Sequence, residues 1–112
     1  MKPPVLHQRL TLEAPVRLAD GAGGFAISWE VRGTLWAEIR PGTGRERAAE
    51  LMTVATTALR IIVRAAPEGA PSRPKPDQRF RAGNRVFRIL AVTEADAGAR
   101  YLVCFAQEEV SQ

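Results

Sequence analysis

With 112 residues, 46% of them hydrophobic and 25% charged, the chain has the composition of one globular domain, 1–112, able to bury a modest core without covalent staples. One cysteine, Cys104, excludes an intrachain disulfide, while a formal charge of +4 leaves nucleic acid or an acidic partner surface open. No run approaches the ~20 apolar residues of a bilayer span, and MKPPVLHQRL lacks the apolar stretch of a secretory signal, so neither membrane insertion nor export is expected.

Leu6, Leu10 and Leu12 share one parity and His7, Arg9, Thr11 and Glu13 the other, the pattern of a half-buried strand that Pro15 is expected to close. Ala19 to Phe25, ADGAGGF, holds too much glycine for a regular element and is expected to be a mobile loop or hairpin tip. Phe25, Ile27, Trp29 and Val31 alternate with polar residues as a second strand, which Gly33 bends or bulges before Leu35, Ala37 and Ile39 resume. Trp36 falls on the opposite parity, and Pro41, with no N–H for a ladder, ends the run.

Thr43 and Glu46 then form a T-x-x-E capping box, in which the Thr43 hydroxyl accepts from the Glu46 N–H and the Glu46 carboxylate from the Thr43 N–H. A short amphipathic helix from Gly44 to about Met52 is predicted, with Ala48, Leu51 and Met52 inward. Leu59, Ile61 and Val63 begin a further strand, and the four prolines from Pro67 to Pro76 predict an exposed, semi-extended loop over Ala66 to Gln78. Arg79 to Arg81 and Val86 to Val92 flank Ala82-Gly83-Asn84-Arg85 as a hairpin, and Asp96 to Ala99 turns the chain into a last strand from Tyr101. About six strands with one short helix and long loops predict a small, mainly β, antiparallel barrel. The predicted core is Leu10, Leu12, Trp29, Leu35, Ile39, Ile61, Phe87, Ile89 and Val103.

Catalysis needs converging groups, and one histidine, His7, with one cysteine in an apolar strand supplies no oriented nucleophile–base pair. Zinc-ligand spacing is absent, and DGAGG matches neither a phosphate-binding loop nor a dinucleotide fingerprint, so no enzyme, cofactor or metal is expected. Arg60, Arg64, Arg79, Arg81, Arg85 and Arg88 admit three readings: a phosphate-facing stripe, a subunit contact, or solvated strand faces. Phe80 and Phe87 are either stacking platforms for bases or core; the former would make the chain a small basic nucleic-acid-binding module.

An ordered series of motifs runs from Leu10 to about Val103: Leu10 and Leu12 before Pro15, Asp20-Gly21 and Gly23-Gly24, Trp29, Leu35-Trp36-Ala37-Glu38-Ile39 with Pro41, Gly44-Arg45-Glu46, and Arg85-Val86-Phe87-Arg88-Ile89. In this series the chain resembles the phage head–tail joining family, the head-closure or stopper proteins of tailed phages and gene transfer agents. Thr56-Thr57-Ala58-Leu59 departs from the Thr-His pair that similar sequences often carry, and the Ala66–Gln78 loop is longer, so its contacts are not carried over. The resemblance implies a homo-oligomeric ring between a portal-associated adaptor and tail terminator or tail tube proteins. Such a ring assembles in the cytoplasm, becomes the head–tail connector of the particle, closes the filled head, and surrounds double-stranded DNA without reading bases. Within that role Asp20, Gly21, Gly23, Gly24 and Phe25 are the candidate channel gate, with a plain hairpin tip as the alternative.

Overall fold

In the computed structural model, which describes residues 3–42 and 56–109, six strands run antiparallel: β1 Gln8–Ala19, β2 Phe25–Pro41, β3 Thr56–Arg64, β4 Arg79–Ala82, β5 Arg85–Glu94 and β6 Tyr101–Glu109. They pair in the order β1-β2-β3-β6-β5-β4, and β4 returns to β1 through Thr11–Arg81, Leu12–Phe80 and Glu13–Arg79, closing a barrel as the alternation predicted. The Thr43–Glu46 capping box and its helix lie outside the described residues.

One parity of each strand fills the barrel. Leu10 and Leu12, Leu35 and Ala37, Ile61 and Val63, Phe80, Phe87 and Ile89, and Leu102, Cys104 and Ala106 form one continuous core. Burial pushes the Cys104 thiol up to about 12, so it behaves as a small apolar side chain rather than a nucleophile. Two expected core residues are displaced. Val103 has the outward parity of β6, between the buried Leu102 and Cys104, and Trp29 lies on β2 beyond the barrel wall.

Where β1 and β2 leave the barrel, the register slips: Leu12 faces Gly33, whereas Glu13 faces Val31, so Arg32 is the extra residue of a bulge. Gly33 lies against the proline-rich loop, where a Cβ would stand in van der Waals contact with Ser72, 3.4 Å from its Cβ. That loop is held rather than loosely exposed. Pro74 is fully buried, the Arg73 guanidinium donates to the Ala66 carbonyl at 2.7 Å, and the Asp77 N–H donates to the Ile89 carbonyl at 3.0 Å. The β4–β5 turn has a positive φ at Gly83 (61°) but not at Asn84, the pattern of a type II′ turn.

Pro15 does not close β1. The strand continues to Ala19 paired with Phe25, because β4 stops pairing at Glu13 and leaves β1 a free edge, where a residue without an N–H is tolerated. Beyond the bulge β1 and β2 therefore form a two-stranded arm of seven residue pairs, Glu13–Val31 to Ala19–Phe25. At ~3.4 Å per residue the arm extends about 20 Å, which accounts for the elongated 51 × 35 × 23 Å shape.

Candidate assembly surface

Cross-strand partners share a face, so the arm's two faces follow from its register. Glu13, Pro15, Arg17 and Ala19 lie with Val31, Trp29, Ile27 and Phe25 on one face; Ala14, Val16 and Leu18 lie with Glu30, Ser28 and Ala26 on the other. Phe25, Ile27 and Val31 are 60–62% exposed and Leu18 51%, although the alternation of β2 alone reads as an ordinary core-facing strand. A two-stranded ribbon is at best marginally stable in water by itself, and exposed large apolar side chains such as Phe25 and Ile27, two residues apart on one face, mark an interaction site.

The base of the arm is fastened by one charged cluster. The Glu13 carboxylate, 5% exposed, accepts from Arg79 Nε at 2.7 Å and lies 3.6 Å from an Arg81 guanidinium nitrogen. The Arg79 guanidinium in turn stacks over Trp29, 3.9 Å from the ring centroid. Trp29 is thus the arm's anchor to β4, a role that its period-two position could not distinguish from core. Between the apolar wall of Pro15, Ile27 and Trp29 and the barrel side of Asp77, Arg79, Arg88 and Glu109 lies a groove of about 320 Å³.

The tip is ordered by Asp20. Its carboxylate accepts from the N–H groups of Ala22 (2.8 Å) and Gly24 (3.0 Å), while the Asp20 N–H donates to the Gly24 carbonyl at 3.1 Å. Gly21 and Gly23 adopt φ of 80° and 85°, and a Cβ at Gly24 would come within 2.8 Å of Asp20 Oδ2, so each glycine answers a demand of the turn. Arg17 covers one side of Phe25, 4.7 Å from the ring centroid.

The hydrogen bonds from Ala22 and then Gly24 hold the Asp20 carboxyl below its ordinary value. A depressed carboxyl stabilises the folded tip above its unfolded value, and that contribution is lost as pH falls through the folded value. Amide exchange at Ala22 and Gly24 is therefore expected to rise, relative to barrel amides, as acidification takes the pH below the ordinary carboxylate range. An Asp20→Ala variant, which has no side-chain acceptor, should show fast exchange at neutral pH and no such transition; exchange at Ala22 and Gly24 in constant ratio to barrel amides at all pH values in the parent chain would refute the tether.

The six arginines singled out from the sequence do not form one stripe. Arg79, Arg81 and Arg88 gather on β4 and β5 beside the groove, whereas Arg60 and Arg64 stand on β3 across the barrel, with Arg64 over the Tyr101 ring at 5.7 Å. Arg85 closes one barrel end, 4.9 Å from the Phe87 centroid and bidentate to Glu108 at 2.7 and 2.9 Å. That pairing lowers the Glu108 carboxyl and raises the Arg85 guanidinium. A cation of β5 and an anion of β6 thus pair within one copy at this point. Phe80 and Phe87 are fully buried, which removes the base-stacking platform of the nucleic-acid reading. Leu35 is core, Trp36 is 54% exposed on the outer face, and Pro41 is the last residue of β2, paired with Leu59, after which the Gly42 N–H still donates to the Ala58 carbonyl at 3.1 Å.

Among the described residues no group of three or more His, Cys, Asp or Glu side chains is arranged to hold a metal, and no helix is long and apolar enough to cross a membrane. Comparison with known proteins yields a family model described as phage head completion protein, matching residues 1–109. A chain from the virion of a native gene transfer agent particle is 54% identical and superposes with a TM-score of 0.80, covering 98% of this chain and all of that one. The solution structure of protein SF1141 from Shigella flexneri 2a has a TM-score of 0.69 at 22% identity over the full length of both chains, a likeness of fold alone. No curated protein sequence matches.

Proposed function

The chain belongs to the phage head completion protein family, and on that premise we propose that it is a head–tail connector of a phage-like particle. In this reading copies form a ring between the portal-associated adaptor and the tail terminator or tail tube proteins, closing the DNA-filled head and receiving the tail. The observation that carries it is the arm: a closed barrel needs no exposed apolar ribbon to fold, so Phe25, Ile27 and Val31 at the surface are surfaces for assembly. The role is structural rather than catalytic, and arginines such as Arg88 act, if they meet DNA, on its backbone without reading sequence.

Particles produced without this chain test the reading. Filled heads are expected to lose DNA and to remain without tails, and supplying the chain should restore both; normal DNA retention and tail joining in its absence would overturn the proposal.

The tip, Asp20 to Phe25, is proposed to face the channel as its gate or to touch what passes. Deleting Gly23 and Gly24 removes the hydrogen bonds of Gly24 to Asp20 but leaves the barrel intact, and shortening a surface loop slightly changes closure entropy by only tenths of a kcal/mol. The deletion is expected to keep the melting temperature and to reduce DNA retention or tail joining. Unchanged retention and joining would make the tip an ordinary hairpin end.

A further inference from the structure

The groove under the arm and the tip of the arm are complementary in kind. The tip presents Phe25, 62% exposed, between one cation, Arg17, and one anion, the Asp20 carboxylate. The groove presents the apolar wall of Pro15, Ile27 and Trp29, beside it the exposed cation Arg88, and at its rim the anions Asp77 and Glu109. We propose that the occupant of the groove is a second copy of this chain, whose arm tip seats Phe25 against Trp29 and Ile27, with Asp20 facing Arg88 and Arg17 facing Asp77 or Glu109.

Three observations carry this. The groove, about 320 Å³, is within the range of clefts that take up a compact group, and its apolar side is supplied wholly by the arm. A like-charged visitor is disfavoured by either half of the charge pattern, whereas the tip carries one charge of each sign for a groove that carries both. The arm also cannot fill its own groove, since Phe25 stands on the same extended ribbon and the same face as the wall residues Ile27 and Trp29, about 7 and 14 Å along it, and a paired ribbon cannot fold back onto its own face over so few residues.

Tip and groove wall adjoin on one face of the arm, with Arg17 the cross-strand partner of Ile27; a copy that gives its tip to one neighbour and receives a tip from another makes a heterologous contact, which generates a closed ring or an open helix. The closure into a ring rests on the connector reading; the contact itself does not, and a tip seated in this way is not free to gate the channel, so successful cross-linking would replace the gate assignment of Asp20 to Phe25.

The test uses the full chain in two variants with one added cysteine each, Ala22→Cys at the tip and Glu109→Cys at the groove rim, with the buried Cys104 left in place and Asp77 kept as an anion for Arg17. Mixed and oxidised, the two are expected to give a disulfide-linked dimer that neither forms alone, and the doubly substituted chain a ladder of oligomers. Phe25→Ser in the tip partner should weaken the cross-linking at least about tenfold, as loss of an interface anchor does. Absence of the mixed product up to millimolar protein, tip-to-tip dimers predominating, or cross-linking indifferent to Phe25→Ser would each overturn the proposal. Particle production separates this from the connector reading: if cross-linking fails while particles without the chain still lack tails, the tip–groove contact falls and the connector role stands. If cross-linking succeeds while particles assemble normally without the chain, the reverse holds.

Discussion

Replacing Phe87 with alanine is expected to cost about 3–5 kcal/mol, the usual range for emptying a buried aromatic site. Phe87 is fully buried, faces the equally buried Phe80 across the β4–β5 pair, and is covered at the barrel end by the Arg85 guanidinium. A barrel collapses poorly around such a hole, because its strands are tied on both sides by ladders. With total stabilities of about 5–15 kcal/mol common for domains, the loss is a large share of the whole. Denaturant titration at constant m-value measures it; a midpoint shift equivalent to less than about 1 kcal/mol would show that the site is not the packed interior described. Leu90→Ala is the matched control. Leu90 is the bulged residue of β5 and 48% exposed, so a change within roughly 0.5 kcal/mol is expected.

The second large effect is expected at Glu13. Removing its carboxylate in Glu13→Ala leaves the Arg79 guanidinium, whose side chain is 18% exposed, without its anion. Breaking a buried pair from one side costs about 3–5 kcal/mol, and the remaining solvent access of Arg79 and the greater exposure of Arg81 place this site near about 3. The double variant Glu13→Leu with Arg79→Met is expected to recover most of the loss, since apolar replacement of both partners removes the stranded charge. Failure of the double variant to recover would mean that the cluster holds the arm by directional hydrogen bonds and by the Trp29 stack. Trp29 fluorescence distinguishes the cases, because it should shift toward that of a solvated indole whenever Arg79 no longer covers the ring.

The contrast between these two sites shows how far alternation can be read. Phe87 between Val86 and Arg88 is assigned to the interior by parity, and so are Leu10, Leu12, Leu35, Ile61 and Ile89. Phe25, Ile27 and Trp29 carry the same alternation and stand outside. The difference lies in what packs against each strand: pairing with β3 begins only at Ala37, so among the described strands β2 pairs with β1 alone as far as Trp36. No local pattern records that. The nearest local signals are Gly33, read as a bend or bulge, and the glycines of the tip, which mark a long hairpin without saying that its faces are bare. Val103 falls outside the predicted interior for a similar reason, since both parities of β6 are largely apolar and Tyr101, Val103 and Phe105 differ little in kind from Leu102, Cys104 and Ala106.

By itself the sequence determined the strand count, the antiparallel hairpins and most of the barrel interior. All of these follow from period-two patterning, turn residues and composition, which act over a few neighbouring residues. Only the tertiary structure decided which half of the β1–β2 ribbon closes the barrel and which half stands free. It also decided that Glu13, Arg79 and Trp29 meet, across 66 residues of chain between the two charged groups, and that the gathered arginines are Arg79, Arg81 and Arg88. These depend on where β4 stops pairing with β1 and on a one-residue slip at Arg32, and a register shift of that size reassigns every side chain beyond it without altering the local pattern from which a strand is recognised.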